Sequence, residues 1–345
     1  MQPPPGLLPA GGIPCLSKDQ AAEIARRHYG LDAAVSALDS YTDQNFRLDR
    51  EGEKNESERW VLKVANAETQ RAVIEFENSM AQCLADADLP VPKILPNRDG
   101  ETITDTHGHL VRLISWRHGT PLTDIANRPT TLLEDVGALM GRVDNALANL
   151  DHPGMHRPFF WDVRLVDQLR PLVGHLEGEQ RRRIEGLFDN FEERVRPFDK
   201  DLRISAVHND ANDANILVTR SVSGAYEITG LIDFSDSLYS WTIYDLAIAV
   251  AYIILGQDEP LKVGSHVVRG YERERPMTEV ERRVLFDLVM TRLASSAMFS
   301  RYLLSLNPEN TYLAVNIEPI WRLFDQVQGL SPTQATEMLC GLQGS

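Results

Sequence analysis

The chain has 345 residues, of which 43% are apolar and 25% charged, and 35 basic against 50 acidic side chains leave a formal net charge of −15. That composition excludes a disordered tail, a collagen-like fibre and a disulfide scaffold, and the length suits two domains or one large one. So acidic a chain repels phosphate backbones and anionic membranes, which argues against nucleic acid or a membrane as partner and favours a small cationic ligand.

Residues 1–16 (MQPPPGLLPAGGIPCL) are rich in Pro and Gly, show no period and read as a flexible arm. Ser17 with Gln20 three residues on is a capping box that opens a helix, and Gly30 closes it. Alternating apolar segments then predict strands at Ala34–Leu38, Asn45–Leu48 and Arg59–Ala65, the last two separated by a polar turn over 49–58. A helix is expected over Thr69–Ala87, with Val73, Phe76, Met80 and Leu84 on one face, stopped by Pro90 and Pro92. Further strands are predicted at Lys93–Leu95 and Leu110–Trp116. Residues 17–115 therefore read as one lobe, a mostly antiparallel sheet with an inserted helix. Residues 116–345 read as a second, mostly helical lobe. There Thr131 and Glu134 form another capping box ahead of the stripe Leu132, Val136, Leu139, Met140, Val143 and Leu147, and two short strands interrupt at Asn215–Thr219 and Tyr226–Ile232. The fold class is α+β, and the crevice between two such lobes is a common ligand site.

Cys15, Cys83 and Cys340 are odd in number and far apart, with no CxxC pair, which points to a reducing compartment and against zinc. No charged start is followed by an apolar signal segment. The longest uncharged apolar run, Leu246–Gly256, is short of the roughly 20 residues that span a bilayer. A cytoplasmic protein is expected, and nothing in the sequence fixes an oligomeric state.

The most informative stretch is 204–218, ISAVHNDANDANILV, which holds His208, Asp210 and Asn215 as H-x-D-x-x-x-x-N before an apolar strand. Leu231-Ile232-Asp233-Phe234 is a second strand ending in an acid. Phosphoryl transfer needs a carboxylate to orient and deprotonate the attacking hydroxyl, and a metal to neutralise the triphosphate. Asp210 on the loop can face that hydroxyl. Asn215 and Asp233 can offer oxygens to one magnesium ion, which prefers one or two protein carboxylates with phosphate and water. The same loop and later metal-binding Asp occur in the protein-kinase template.

With its segments SYTDQNF, WVLKVANAE, HNDANDANIL, GLIDFSD and YDLA, the chain resembles the aminoglycoside phosphotransferase and choline kinase-like family of small-molecule kinases, most closely its hydroxylysine kinases. The resemblance spans nearly all of the chain after the arm and implies a two-lobed, protein-kinase-like fold. It implies that Asp210 is the catalytic base, that His208 supports its loop, and that Asn215 and Asp233 bind Mg2+. Lys63, one charge in the apolar strand WVLKV, is then the phosphate clamp, and Glu77 on the next helix holds it, with Glu75 as the alternative. Thr42, Asp43, Gln44 and Asn45 would cover the phosphates through their backbone N–H groups, although SYTDQNF contains no glycine and so lacks the G-x-G-x-x-G fingerprint. Ser115 and Trp116 fall at the hinge that would read the purine of ATP or GTP, and hydroxylysine kinases imply GTP.

Asp233 and Asp245 are only twelve positions apart and no A-P-E follows, so a small molecule rather than a peptide is the expected acceptor. Asp245 is expected to tie down the catalytic loop or cap its helix, and Asp213 to be a solvated loop residue. Candidates to hold an acceptor ammonium are Asp236, Trp161 and Asp162. Hydroxylysine is the leading acceptor; an aminoglycoside, choline, ethanolamine, homoserine or a sugar are alternatives. The rival of another class is a nucleotide-binding module without catalysis.

Overall fold

The computed structural model describes residues 13–40, 42–51, 57–306 and 316–341. Most of the expected arm, Tyr41 and the middle of the polar turn lie outside the described residues.

The first helix, α1 (Lys18–Ile24), starts where the capping box places it. Ser17 Oγ accepts from Gln20 N at 3.2 Å, and Gln20 Oε1 accepts from Ser17 N at 2.8 Å. One wider turn carries the chain over 25–29 to Gly30, whose φ of +70° stops the helix.

Strands β1 (Ala34–Leu38), β2 (Gln44–Glu51), β3 (Ser57–Val64), β4 (Ile94–Leu95), β5 (Thr104–Thr106) and β6 (His109–Ser115) form one antiparallel sheet. Its order is β1-β2-β3-β6-β4, with β5 added to β6. Side chains alternate between faces along each strand. Phe46, Leu48, Leu62, Val64, Val111 and Leu113 bury one face against Ala21 and Ile24 of α1. Each such side chain contributes roughly 1.5–3 kcal/mol. The other face carries a polar row, because Asn45 stands opposite Lys63 and Lys63 opposite Arg112.

Helix α2 (Arg71–Asp86) has the expected stripe, but Phe76, Met80 and Leu84 enter the core of the helical half and not that of the sheet. Gly154 makes this docking possible, since a Cβ there would lie 1.9 Å from the Ala72 carbonyl oxygen. His152 stacks on Phe76 beside it, with ring centroids 6.0 Å apart.

In the second half, a two-residue strand β7 (Thr120–Pro121) leads to α3 (Thr130–Leu147). The expected capping box at Thr131 is not formed. Pro129, with extended backbone, is the N-cap instead, two residues earlier, so Thr131 lies inside the helix, and Glu134 pairs with Arg269 and Arg273. Helix α4 (Gly178–Arg194) follows, then strands β8 (Ile204–Val207), β9 (Ile216–Arg220), β10 (Tyr226–Leu231) and β11 (Leu238–Trp241), and helices α5 (Ile243–Ile253), α6 (Pro260–Glu274), α7 (Glu279–Leu306), α8 (Ile317–Gln326) and α9 (Pro332–Leu339). Helices α3 and α6 approach closely at Gly137 and Gly270, where a Cβ would fall 1.8 Å from a carbonyl oxygen of the facing helix. No helix among the described residues is long and apolar enough to cross a membrane.

Two short ladders position the functional loops. The β8–β11 register ends at Val207 opposite Leu238, and the β9–β10 register ends at Leu231 opposite Ile216. Residues 208–215 and 232–237 therefore emerge side by side, tied by Ile232 N donating to the Asn215 carbonyl at 3.0 Å.

Candidate active site

The loop after β8 is pinned from beneath. The carboxylate of Asp245, in the first turn of α5, accepts the backbone N–H groups of His208 and Asn209, both at 2.7 Å. Asn209 follows with φ of +63°, a left-handed conformation that Asn tolerates better than most residues. His208 Nδ1 accepts from Asp210 N at 3.2 Å, so the proton resides on Nε2, which donates to the Ile232 carbonyl at 3.1 Å. Burial lowers this imidazole to about 4 and keeps it neutral. His208 thus braces the two loops together, and Asp245 anchors them.

Asp210 is held at both oxygens. Oδ2 accepts from Asn215 Nδ2 at 2.8 Å, and Oδ1 accepts from Asn212 Nδ2 at 3.0 Å and Arg292 Nη2 at 2.9 Å. Burial raises the carboxyl to about 6 against the opposing charge of Arg292. A carboxylate near the top of its range, fixed in direction, is suited to accept a proton from a hydroxyl. Asp213 is not the solvated residue expected, because it pairs with Arg128 at 2.7 Å and is mostly buried.

Asp233 begins the facing loop with φ of +66°, and its half-exposed carboxylate turns back toward the sheet. Oδ1 accepts from Lys63 Nζ at 3.1 Å and from Ser235 Oγ at 2.7 Å. The Lys63 ammonium beside it holds this carboxyl well below the usual carboxylate range. Such donor chemistry fits a hard divalent cation: Asp233 is kept ionised, and Asn215 has its amide nitrogen spent on Asp210, leaving the carbonyl end of the amide. No group of three or more His, Cys, Asp or Glu among the described residues could hold a metal, so a cation here relies on the amide and on phosphate and water oxygens.

The upper wall of the cleft departs from expectation at Lys63, Glu77 and Gln44. Lys63 is 7% exposed and turned inward, yet its direct partners are Asp233 and Ser235. Glu77, also buried, instead takes Arg112, whose guanidinium reaches Glu77 Oε2 through Nη2 and Asn78 Oδ1 through Nη1 at 2.8 Å. The fork of an arginine can bridge two adjacent helix residues, which an ammonium cannot. Glu77 acts on Lys63 through space, as one of the charges that favour its protonated form, and Glu75 points to solvent. Gln44 uses both ends of its amide on Leu16, accepting its N–H at 2.8 Å and donating to its carbonyl at 3.0 Å. It therefore fastens the start of α1, whereas Asn45 lies on the face of the sheet that carries Lys63, with a buried Oδ1 that has no hydrogen-bond partner among the described residues. Asp43 accepts from Asn66 N at 3.0 Å, and the Thr42 carbonyl accepts from Asn66 Nδ2 at 3.3 Å, which ties the loop to the end of β3.

The hinge donor expected at Trp116 is already engaged. Its N–H continues the β3–β6 ladder to the Arg59 carbonyl at 3.2 Å, and Ser115 exchanges two hydrogen bonds with Lys93 at 2.9 Å. Arg117 then donates to the Thr229 carbonyl through Nε at 2.9 Å and ties the hinge to β10. Lys63, Glu77, Arg112, Ile94, Ile114, Asp233 and Phe234 line one narrow cleft.

The acceptor-side candidates separate. Asp236 lies next to Asp210 and Asp233, and burial followed by those two charges raises its carboxyl to about 8. Trp161 packs under Arg292, 4.3 Å from its guanidinium. Asp162 leaves the candidate set. It is buried, caps the short helical segment 163–175 through Arg164 N, pairs with the Arg164 guanidinium and accepts from Ser240 Oγ at 2.9 Å. A carboxylate so fully engaged has nothing to give an ammonium.

The phosphotransferase enzyme family model matches residues 35–281. The chain belongs to that family. A hydroxylysine kinase of Mus musculus is 30% identical over 342 residues, covering 92% of this chain and 91% of the relative. Among solved structures, a microcompartment-associated aminopropanol kinase has a TM-score of 0.71 at 19% identity, covering 91% of this chain and 99% of its own. An amicoumacin kinase in complex with AMP-PNP, Ca2+ and Ami has a TM-score of 0.70 at 16% identity, covering 92% of this chain and 97% of its own. This phosphotransferase is a small-molecule kinase whose acceptor group is a hydroxyl. Sequence reasoning missed Arg112, Arg292 and Ser235 in its cleft. The signal for the two arginines was the one that found Lys63, a lone charge in an apolar run, here HLVRLIS and LVMTRLA.

Proposed function

We propose that this phosphotransferase moves the γ-phosphoryl group of a purine nucleoside triphosphate, GTP or ATP with Mg2+, to the hydroxyl of a small cationic amino alcohol, with hydroxylysine first. The observation that carries the reading is the adjacency of the two loops: Asn215 Nδ2 donates to Asp210 at 2.8 Å, Ile232 N donates to the Asn215 carbonyl at 3.0 Å, and the charge of Asp233 acts on Asp210. In this reading residues 17–115 bind nucleotide and residues 116–345 supply the catalytic loops and the acceptor site. Asp210 takes the proton of the attacking hydroxyl. Asn215 and Asp233 hold the cation, which neutralises developing charge on the transferred group. Lys63 leaves Asp233 to clamp phosphate oxygens, Glu77 and Arg112 set the field around it, and Asn45 lies within the same polar row. Asp236, pushed up to about 8, regains its charge when an ammonium arrives beside it.

The test is turnover with ATP and GTP side by side against hydroxylysine, homoserine, ethanolamine, choline, an aminoglycoside and a hexose, beside an Asp210→Ala variant. Removal of a general base lowers the rate by about 10²–10⁴. Hydroxylysine should give the highest kcat/KM, and a loss below tenfold in Asp210→Ala removes the base assignment.

A further inference from the structure

Arg292 has no part in the reading above, although it stands at its centre. It comes from the middle of α7, is 2% exposed, and its guanidinium lies 4.3 Å from the Trp161 ring and 5.5 Å from that of Tyr252. One nitrogen, Nη2, donates to Asp210 Oδ1 at 2.9 Å, and the Tyr244 hydroxyl also acts on the guanidinium; Nε and Nη1 are buried without a well-formed hydrogen bond among the described residues. Buried charged donors left unpaired are costly, so two idle nitrogens here mark a place where an acceptor atom belongs.

The position of those groups narrows what that acceptor is. Asn215, the cation-side residue, approaches Asp210 at Oδ2, whereas Arg292 approaches at Oδ1. The guanidinium thus addresses the other oxygen of the base. Asp236 is its neighbour there, since the charges of Asp210 and Arg292 both act on the Asp236 carboxyl. A guanidinium and a carboxyl side by side are complementary to one carboxylate and one ammonium on the same small molecule. The planar fork of arginine matches a carboxylate in particular.

We propose that Arg292 recognises the carboxylate of the acceptor, so that the enzyme selects hydroxy amino acids over amino alcohols that lack one. This rests on the kinase reading above and specifies its substrate class. Asp236 takes the neighbouring ammonium, and Trp161 and Tyr252 keep water from the guanidinium, strengthening its hold.

The experiment compares hydroxylysine and homoserine, each beside its carboxamide, on the wild-type chain and on Arg292→Gln and Arg292→Lys. Binding is read by calorimetry without nucleotide and turnover separately. The wild type should bind at least one carboxylate about 10–100-fold more tightly than its amide, as expected for a hydrogen-bonded charge pair. Arg292→Gln should bring that ratio to within about twofold, and Arg292→Lys should retain part of it. Because Arg292 touches Asp210, turnover of every acceptor falls in both variants, and the ratio is the diagnostic quantity. If Arg292 serves only as a counter-ion to Asp210, acid and amide weaken equally. That result, a wild type without preference, or no binding of either carboxylate overturns the proposal. Binding preference without any turnover would instead overturn the kinase reading.

Discussion

Asp210 must be ionised to accept a proton, and its surroundings work against ionisation. Burial lifts its carboxyl to about 6, and the charge of Arg292 limits the rise. For a group with a raised folded-state value, the protonated form is favoured in the folded protein. The charged base is therefore absent below about pH 4 and restored only above about pH 6. The acid limb of kcat/KM should have its midpoint near pH 6, and Arg292→Gln should shift it upward; a limb near pH 4 in the wild type contradicts this environment. Glu77 and Arg112 make a second residue-scale prediction. Both are buried, so removing one partner strands a charge and costs about 3–5 kcal/mol. Denaturant unfolding should show that loss for Arg112→Leu, while the double change with Glu77→Gln recovers much of it.

At the scale of elements, α2 is the informative case. Its spacing of Val73, Phe76, Met80 and Leu84 gives helix and face correctly, but no local pattern tells which core receives that face. The answer lies in Gly154, some eighty residues away, whose missing side chain lets the chain lie against Ala72. Gly154→Ala should lower stability by about 1–3 kcal/mol through overpacking and raise the KM for nucleotide, measured by unfolding and steady-state kinetics. Wild-type values would show that α2 is not held there. The same contrast between local and distant causes explains what else could be read. The Ser17 capping box and β1 are written in contiguous residues and were legible. Strands β8 and β11 were not, because each is four residues long and acquires its partner from across a thirty-residue gap. The site was legible where one loop holds it, as at His208, Asp210 and Asn215. Arg292 enters from α7, far along the chain, and only packing brings it to Asp210.

For the whole molecule, Lys63 with Asp233 is the one ion pair among the described residues that links the sheet directly to the helical half. Nucleotide that binds only the folded chain stabilises it by mass action, by about 2.7 kcal/mol at a hundred times its Kd. Thermal unfolding with magnesium and nucleotide should therefore rise by several degrees. Chelating the cation should remove most of the shift, and Lys63→Met should abolish it. A shift of full size in Lys63→Met excludes this lysine from phosphate binding.

The docking of α2 onto the helical half also decides how such a cleft can breathe. Pinned at Ala72 by Gly154 and at Phe76 by His152, the helix moves as cargo of the catalytic half. The buried contacts of Arg112 with Glu77 and Asn78 make β6 follow that helix, so the sheet cannot rock free of it without breaking them. A kinase assembled this way keeps its buried glutamate in register with both halves of the cleft.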